Sequence, residues 1–318
     1  MYRRTTSEGC DKLTAHDTPS LVHTFVVFAY DSVGTEEGYQ KRVHHDVLVN
    51  KSAYQDLYIS LKNKYAEQLI EDWAENTDPL KHAFEDISLA AFLILLWKER
   101  HGKETKFVDI GCGNGVLVYL LVMEGYEGYG FDARRRKSWK IFPQHVQDRL
   151  YEKILIPSLL EDITDDKVHN GRFDDQTFLI SNHADELTPY TPLLAAMTAG
   201  SAFLAIPCCE HDFSGAKVGG RLAKTTQTTA ENDSLGQGKY GMYCEWICEI
   251  ARQIGWTVER EMLRIPSTRN VGIVGRQIAG QCNREQALKV IQKVGGQNGF
   301  NGFIERAKGL KDKVHRGH

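Results

Sequence analysis

The sequence has no apolar stretch long enough to cross a membrane. Its longest apolar run, Ile87–Trp97, is about half of the roughly 20 residues that a membrane-spanning helix requires. Residues 1–20 are polar and lack the hydrophobic core of a secretory signal. These absences predict a cytoplasmic protein with no membrane partner.

An excess of one charge and a disulfide framework are also missing. The formal net charge of −3 argues against a wholly basic nucleic-acid binder but leaves room for a local basic patch. The seven cysteines are an odd number without framework spacing, which suits a reducing compartment. Paired short Cys or His clusters of the zinc-binding kind are not evident, so no metal site is predicted.

The chain divides into three segments of different character. Residues 1–53 are expected to form an N-terminal extension that is partly disordered, and residues 54–280 the main folded domain. Residues 281–318 are expected to form a C-terminal helix and a flexible basic tail, in which GGQNGFNGF is disordered. The segment 214–239, rich in Gly, Thr and Ser, is predicted to be a long mobile loop.

The spacing of apolar residues changes at Gly102. Before it, a three-to-four-residue spacing predicts two helices between Tyr54 and Trp97, separated by the turn sequence TDP. After it, short apolar strands, KILIPSL among them, alternate with helical segments. This alternation predicts an α/β fold with a doubly wound, mostly parallel sheet. The last two strands are close enough for a hairpin, so an antiparallel last strand at the sheet edge is expected.

A glycine-rich turn joins the first predicted strand to the next helix. Gly111, Gly113 and Gly115 lack a Cβ, so the backbone can turn sharply there and approach a ligand closely. Asp109 lies near the end of the strand before the turn. Asp132 ends the next strand, where an acidic side chain reaches ribose hydroxyls in doubly wound folds. The pattern therefore predicts a site for a ribose-containing cofactor.

The glycine spacing favours S-adenosylmethionine as that cofactor. A dinucleotide site requires G-x-G-x-x-G above a pyrophosphate, whereas here the third glycine comes one position early. S-adenosylmethionine has no pyrophosphate, and its ammonium group fits an aspartate near the first glycine. A nicotinamide or flavin site and a generic tight turn are the alternatives. The residues predicted to bind the cofactor are Asp109, Gly111, Cys112, Gly113, Asn114, Gly115, Asp132, Asn182 and, after the third strand where the adenine is expected, Ser158.

Several stretches carry a family resemblance, among them FVDIGCGNGVLVYLL, SNHADELTP, PCCEHDFSG and LRIPSTRN. They resemble the tRNA (uracil-2′-O-)-methyltransferases that act at position 44 of tRNA. The resemblance covers about residues 54–275 and implies a Rossmann-like, S-adenosylmethionine-dependent methyltransferase domain with leading helices at 54–280. It also implies tRNA as the partner, and the ribose of uridine 44 in a subset of tRNAs as the methylated group.

Methyl transfer to a ribose hydroxyl requires a group that accepts the hydroxyl proton. The segment SNHADEL follows a predicted strand, and ligands bind at the carboxyl ends of strands in open α/β sheets. We predict His183 as base or proton relay, oriented by Asp185, with Asn182 facing the donor's methyl group. As alternatives, Asp185 and Glu186 only cap a helix, or the base is one of three residues after the next strand: Glu210, His211 and Asp212.

Four cations, Arg134–Lys137, directly follow Asp132. They are expected to begin a helix, whose positive end disfavours them, so a compensating function such as contact with RNA phosphates is predicted. Trp139 is predicted to stack on a splayed base. The alternative is a solvated charged face, with one arginine closing the donor site. The predicted RNA-binding residues are Arg134, Arg135, Arg136, Lys137, Trp139 and Arg269.

Other functions stay open at this point. One is a methyltransferase acting on a protein or a small molecule, and another is a non-catalytic protein that binds S-adenosylmethionine or RNA. No obligate protein partner is inferred. The segment KHAFED, residues 81–86, is interpreted mainly as structural, with Glu85 and Asp86 capping the helix or pairing. The alternative is that Lys81 and His82 face the donor or the RNA.

Overall fold

The computed structural model describes four ranges of the chain: residues 45–98, 104–218, 238–294 and 299–314. The expectations for the extension before residue 45 and for most of the 214–239 loop therefore lie outside the described residues. Within the described ranges, no helix has both the length and the apolar character needed to cross a membrane.

Two long helices precede the sheet, as predicted. Helix α1 (Lys51–Glu71) is capped by Asn50, whose side chain accepts hydrogen bonds from two first-turn N–H groups at 2.9 and 3.2 Å. Asp78 caps α2 (Pro79–Lys98) in the same way, at 3.0 and 3.3 Å. The apolar run Ile87–Trp97 belongs to α2 and is almost wholly buried, so it forms core rather than a membrane segment.

The strands follow α2 and build one large and one small sheet. Five strands of the large sheet lie parallel to one another, and the last strand lies antiparallel to both of its neighbours. In chain order the strands are β1 (Lys106–Ile110), β2 (Glu127–Asp132), β3 (Leu150–Glu152), β4 (Ile154–Leu155), β5 (Val168–His169), β6 (Thr177–Asn182), β7 (Ala202–Ile206), β8 (Trp256–Met262) and β9 (Val271–Ile278).

The order of the large sheet is β3-β2-β1-β6-β7-β9-β8. This confirms the doubly wound α/β fold with an antiparallel last strand. The position of that strand differs from the expectation, because β9 inserts between β7 and β8 and leaves β8 at the edge. Burial explains the order: residues Val271–Gly275 of β9 are all buried, whereas most of β8 is only partly buried.

Helices cover both faces of the sheet. The other α-helices of the described residues are α3 (Val116–Met123), α4 (Gln144–Gln147), α5 (Thr191–Ala196), α6 (Lys239–Ile254), α7 (Arg284–Val294) and α8 (Asn301–Val314), and Lys137–Ile141 and Asp185–Tyr190 form 3-10 helices.

Two apolar cores lie on opposite faces of this sheet. One packs against α1, α2 and α3, and the other against α5, α6, α7 and α8. Phe107 and Val108 of β1 belong to different cores, because successive side chains of a strand point to opposite faces. With both faces covered, the carboxyl ends of the strands remain as the place for a crevice. The strand order reverses between β1 and β6, which is where ligands bind in open α/β sheets.

Two predicted elements differ from the structure. The segment KILIPSL does not join the large sheet: Ile154–Leu155 pairs with Val168–His169 in a separate two-stranded sheet, and Leu150–Glu152 is the third strand of the large sheet. The prediction that GGQNGFNGF is disordered is also wrong for the last three residues of that segment. Residues 301–303 begin α8, because Phe303 is buried with its ring centroid 4.6 Å from that of Tyr190.

Candidate active site

A crevice of about 510 Å³ opens at the carboxyl ends of β1, β2 and β6, with residues of α2 and α8 completing its walls. Its lining holds seven carboxylates but only three Lys and Arg side chains, Arg134, Arg136 and Lys153. This balance favours a ligand that carries positive charge. The seven carboxylates belong to Glu75, Glu85, Asp86, Asp109, Asp132, Asp185 and Glu186.

One side of the crevice is apolar. Phe131 and Ala133 contribute from the end of β2, and Leu155 from β4. Phe303 and Leu310 reach the same crevice from α8. A flat apolar group of a ligand could therefore bind against these side chains.

The glycine turn after β1 closes tightly onto the end of β2. The N–H groups of Gly111 and Cys112 both donate to the carbonyl oxygen of Phe131, at 2.9 and 3.0 Å. Gly111 and Gly115 have φ values of 73° and 75°, in the left-handed region that favours glycine. The turn therefore presents backbone rather than bulky side chains to the crevice.

Asp132 lies where this turn meets β2. Its Oδ2 accepts a hydrogen bond from the Gly113 N–H at 3.1 Å, and its Oδ1 accepts one from the Arg134 N–H at 3.0 Å. The Arg136 guanidinium lies 3.6 Å from the same carboxylate. These contacts orient a carboxylate that lines the crevice, and each oxygen keeps a lone pair for a ligand hydroxyl.

Two deeply buried acids form the floor of the crevice. Burial, with the nearby carboxylates of Asp86 and Asp132, raises the pKa of Asp109 well above its usual range. Burial and the adjacent Glu85 raise the pKa of Asp86 to about 8. The amide Nδ2 of Asn114 lies 3.5 Å from Asp86 Oδ2. A bound cation would offset the repulsion among these acids.

His183 and Glu85 form a close pair on the crevice wall. His183 Nε2 lies 2.7 Å from Glu85 Oε1, and the Glu85 side chain is only 7% exposed. His183 and Asp185 have φ values of 52° and 47°. Left-handed conformations of residues other than glycine are strained and cluster at functional sites. The backbone of this part of the wall is therefore strained, and the strained conformation positions the side chains of His183 and Asp185.

Known proteins similar to this chain match it over most of its length. Residues 48–157 match the family described as "Predicted AdoMet-dependent methyltransferase". A tRNA (uracil-O(2)-)-methyltransferase of Schizosaccharomyces pombe is 47% identical over 290 residues, which cover 84% of this chain and 57% of that protein. Proteins of the same name from Neurospora crassa and Saccharomyces cerevisiae are 45% and 38% identical, covering 84% and 90% of this chain and 55% and 58% of their own. The chain belongs to the family of the tRNA (uracil-O(2)-)-methyltransferases.

The chain spans somewhat more than half the length of these curated relatives. AdoMet is S-adenosylmethionine, which is therefore the methyl donor of the family that matches.

The crevice fits that donor. Asp109 Oδ1, Asn182 Oδ1 and His183 Nδ1 are buried and have no hydrogen-bond partner among the described residues. Buried polar atoms without partners are rare, so each calls for a ligand or water. The ammonium and ribose hydroxyl groups of S-adenosylmethionine are hydrogen-bond donors, and two of the three atoms are oxygen acceptors. The donor's positive charge also suits the acidic lining.

Most residues predicted to bind the cofactor line this crevice. Ser158 is not among the lining residues, and its hydroxyl accepts a hydrogen bond from Arg172 Nε at 3.1 Å; Leu155, at the end of β4, does line the crevice. Gly115 lies outside the lining and precedes the first residue of α3. The predicted cofactor residues that the structure brings together are Asp109, Gly111, Cys112, Gly113, Asn114, Asp132 and Asn182.

The expected partner of His183 is different from the observed one. Asp185 accepts a hydrogen bond from the Cys208 thiol at 3.2 Å, and Glu85 takes the place beside the imidazole. Glu85 thus forms a pair, as the interpretation of KHAFED allowed, and both Glu85 and Asp86 also line the crevice. One signal was present in the sequence: two adjacent carboxylates directly precede the long apolar run of this helix, and buried carboxylates need partners.

The predicted RNA-binding residues differ in exposure and in position. Trp139 is 2% exposed and donates its indole N–H to the Gly113 carbonyl at 2.9 Å, so the prediction that it stacks on a base is wrong. Residues 133–136 precede the 3-10 helix rather than beginning an α-helix. Arg269 lies in the loop between β8 and β9, outside the crevice lining and 4.5 Å from the Tyr240 ring centroid. Arg136 lies beside Asp132, and the remaining cations are exposed: Arg134, Arg135 and Lys137.

The raised pKa of Asp86 leads to a prediction about stability. The folded protein holds a proton on Asp86 up to about pH 8, whereas the unfolded chain loses it near pH 4, so stability falls as pH rises between these values. We expect Asp86→Asn to reduce this slope by up to about 1.4 kcal/mol per pH unit. Urea unfolding of the ligand-free protein between pH 5 and 8 would measure it. The exposed Asp166→Asn variant is the control, and equal slopes for the two variants would contradict the prediction.

Proposed function

We propose that this chain carries the catalytic unit of an S-adenosylmethionine-dependent methyltransferase that modifies the ribose 2′-oxygen of uridine 44 in a subset of cytoplasmic tRNAs. The observation that carries the proposal is the His183–Glu85 pair, at 2.7 Å, on the wall of the crevice formed by the glycine turn. A donor site and a candidate proton acceptor thus share one cavity. That is the arrangement that methyl transfer to a hydroxyl requires.

Three parts of the crevice would hold three parts of the donor. The carboxylate of Asp132 would accept hydrogen bonds from the ribose hydroxyls, as is usual at the end of a second strand. Asp109 and Asp86 would lose their protons when the donor binds, because a neighbouring cation favours the ionised carboxylate, and would then offset the positive charge of the aminoacid end. The apolar side, with Phe131 and Leu155, would take the adenine. When bound, S-adenosylmethionine supplies a methyl group activated by its sulfonium.

His183 would accept the proton of the attacking hydroxyl. If its Nε2–H donates to Glu85, Nδ1 carries the lone pair, and Nδ1 is the ring nitrogen that has no partner among the described residues. The Glu85 carboxylate would hold the ring and stabilise the imidazolium that forms. Asn182 would orient the hydroxyl or the donor through its own unpartnered oxygen.

The choice of tRNA as substrate is supported by the names of the relatives, all tRNA (uracil-O(2)-)-methyltransferases at 38 to 47% identity. The exposed cations next to Asp132 add physical support, because basic side chains anchor nucleic-acid phosphates without reading sequence. Position 44 rests on the resemblance of SNHADELTP and the neighbouring stretches to the family that acts there.

The substrate can be tested directly with bulk tRNA that lacks the modification. We expect the chain to transfer labelled methyl groups to tRNA, with the label recovered as 2′-O-methyluridine at position 44. Nuclease digestion and mass spectrometry would locate it. Label in co-incubated protein would instead support a protein methyltransferase, and donor binding without transfer would support a non-catalytic role.

A second experiment tests the His183–Glu85 pair. His183→Ala should lower the single-turnover rate on tRNA by about 10²- to 10⁴-fold, because the hydroxyl loses its proton acceptor. Glu85→Gln should lower it less, because the amide can still hold the ring but cannot offset its charge. Calorimetry should find donor affinity within a few-fold of the unmodified chain for His183→Ala.

The matched control is His145→Ala, which removes an exposed histidine on α4 that does not line the crevice. A His183→Ala rate equal to that of the control would remove His183 from the mechanism.

The basic surface beside the crevice gives a third expectation. Replacing exposed Arg135 and Lys137 by Gln should weaken tRNA binding and flatten its salt dependence by about 0.7 to 0.9 in slope for each lost contact. Lys289→Gln with Lys293→Gln on α7 removes the same charge elsewhere. Filter binding between low and moderate salt would compare the two pairs, and identical slopes would place the RNA on another surface.

A further inference from the structure

Three side chains of metal-binding type meet beside the crevice. Asp185 follows β6, and Cys209 and His211 lie in the loop after β7. Their ligand atoms all lie within 4.8 Å of one another. Within the ranges that the structure describes, no other group of three or more His, Cys, Asp and Glu side chains has its ligand atoms this close together. The function proposed above makes no use of Cys209 or His211.

Contacts around this trio prepare two of its members to bind a cation. His211 Nδ1 lies 2.8 Å from the carbonyl oxygen of Gly215, so Nδ1 carries the proton and Nε2 keeps its lone pair. The Cys208 thiol donates to Asp185 Oδ1 at 3.2 Å and orients that carboxylate. Metal-binding histidines and carboxylates usually have such supporting hydrogen bonds, which set the tautomer and the direction of the ligand atom.

We propose that Asp185, Cys209 and His211 bind one zinc ion, with a water molecule completing the coordination. A thiolate, an imidazole and a carboxylate are the zinc ligands of proteins, and three protein ligands leave one tetrahedral position open. Zinc bonds of this kind place ligand atoms about 3.3 to 3.8 Å apart. Because the ligand atoms lie within 4.8 Å of one another, their separations need to close by about 1.5 Å at most.

The ion would join the turn after β6 to the loop after β7. These two segments adjoin strands that are neighbours in the sheet, and Asp185 also lines the crevice. His183 is two residues away, and both residues hold left-handed backbone conformations. A metal bond to Asp185 would stabilise this strained turn and so help to position His183. Stabilisation of this turn is therefore a structural role for a metal ion at this position.

Metal content of the full chain tests the site without donor or tRNA, so the result is independent of the proposed methyl transfer. After zinc loading and removal of free metal, we expect about one equivalent bound. The cobalt-substituted protein should show sulfur-to-cobalt charge transfer. Cys209→Ser and His211→Gln should each lower zinc affinity by more than about 100-fold, since even supporting partners change it 10- to 100-fold.

Cys208→Ala is the matched control, because it removes the neighbouring thiol that supports Asp185 without being a ligand. It should keep one equivalent and the charge-transfer band, with affinity lower by about 10-fold. Unmodified chain with well under one equivalent of zinc would overturn the proposal. Equal binding by the Cys209→Ser and Cys208→Ala variants would also overturn it.

A measurement on the unmodified chain covers the case in which a variant fails to fold. Cys209 is exposed, so a maleimide should label it in the metal-free protein. Zinc should protect it, as mapped by peptide mass spectrometry. Equal labelling of Cys209 with and without zinc would contradict the site.

Discussion

The junction between the ends of β1 and β2 organises the rest of the site. Backbone N–H groups of Gly111 and Cys112 bond to the Phe131 carbonyl, and the Gly113 N–H bonds to Asp132. Only a turn with left-handed glycines brings the backbone this close. The same turn is fixed from the other side by Trp139, whose indole bonds to the Gly113 carbonyl. Trp139, which was predicted to stack on an RNA base, thus stabilises the donor site from the protein interior.

The cavity built on this junction is electrostatically unfavourable when only the protein is considered. Burial and neighbouring carboxylates raise the pKa of both Asp86 and Asp109, and oxygen atoms of Asp109 and Asn182 lack partners among the described residues. Proteins keep such arrangements where a ligand supplies the missing charge and hydrogen bonds. A cationic nucleoside meets both needs at once, which links the stability of the fold to its function.

The sequence predicted elements better than their arrangement. The capped helices α1 and α2, the glycine turn and the apolar strands all follow local patterns of the sequence. The position of β9 in the sheet does not follow a local pattern. A hairpin between β8 and β9 allows either strand to lie next to β7, and only burial against β7 decides which one does. Helix α8 was missed because its glycine-rich start masks the buried Phe303.

By itself, the sequence determined the cofactor side of the site. Glycine conformation and the acid at the end of β2 are properties of short segments, so spacing alone specifies them. Tertiary structure decided the partners: Glu85 with His183, and Asp185 with Cys208, Cys209 and His211. These groups come from separate elements that the sheet order brings to one edge. No local pattern encodes such a distance, since it depends on how every intervening strand and helix packs.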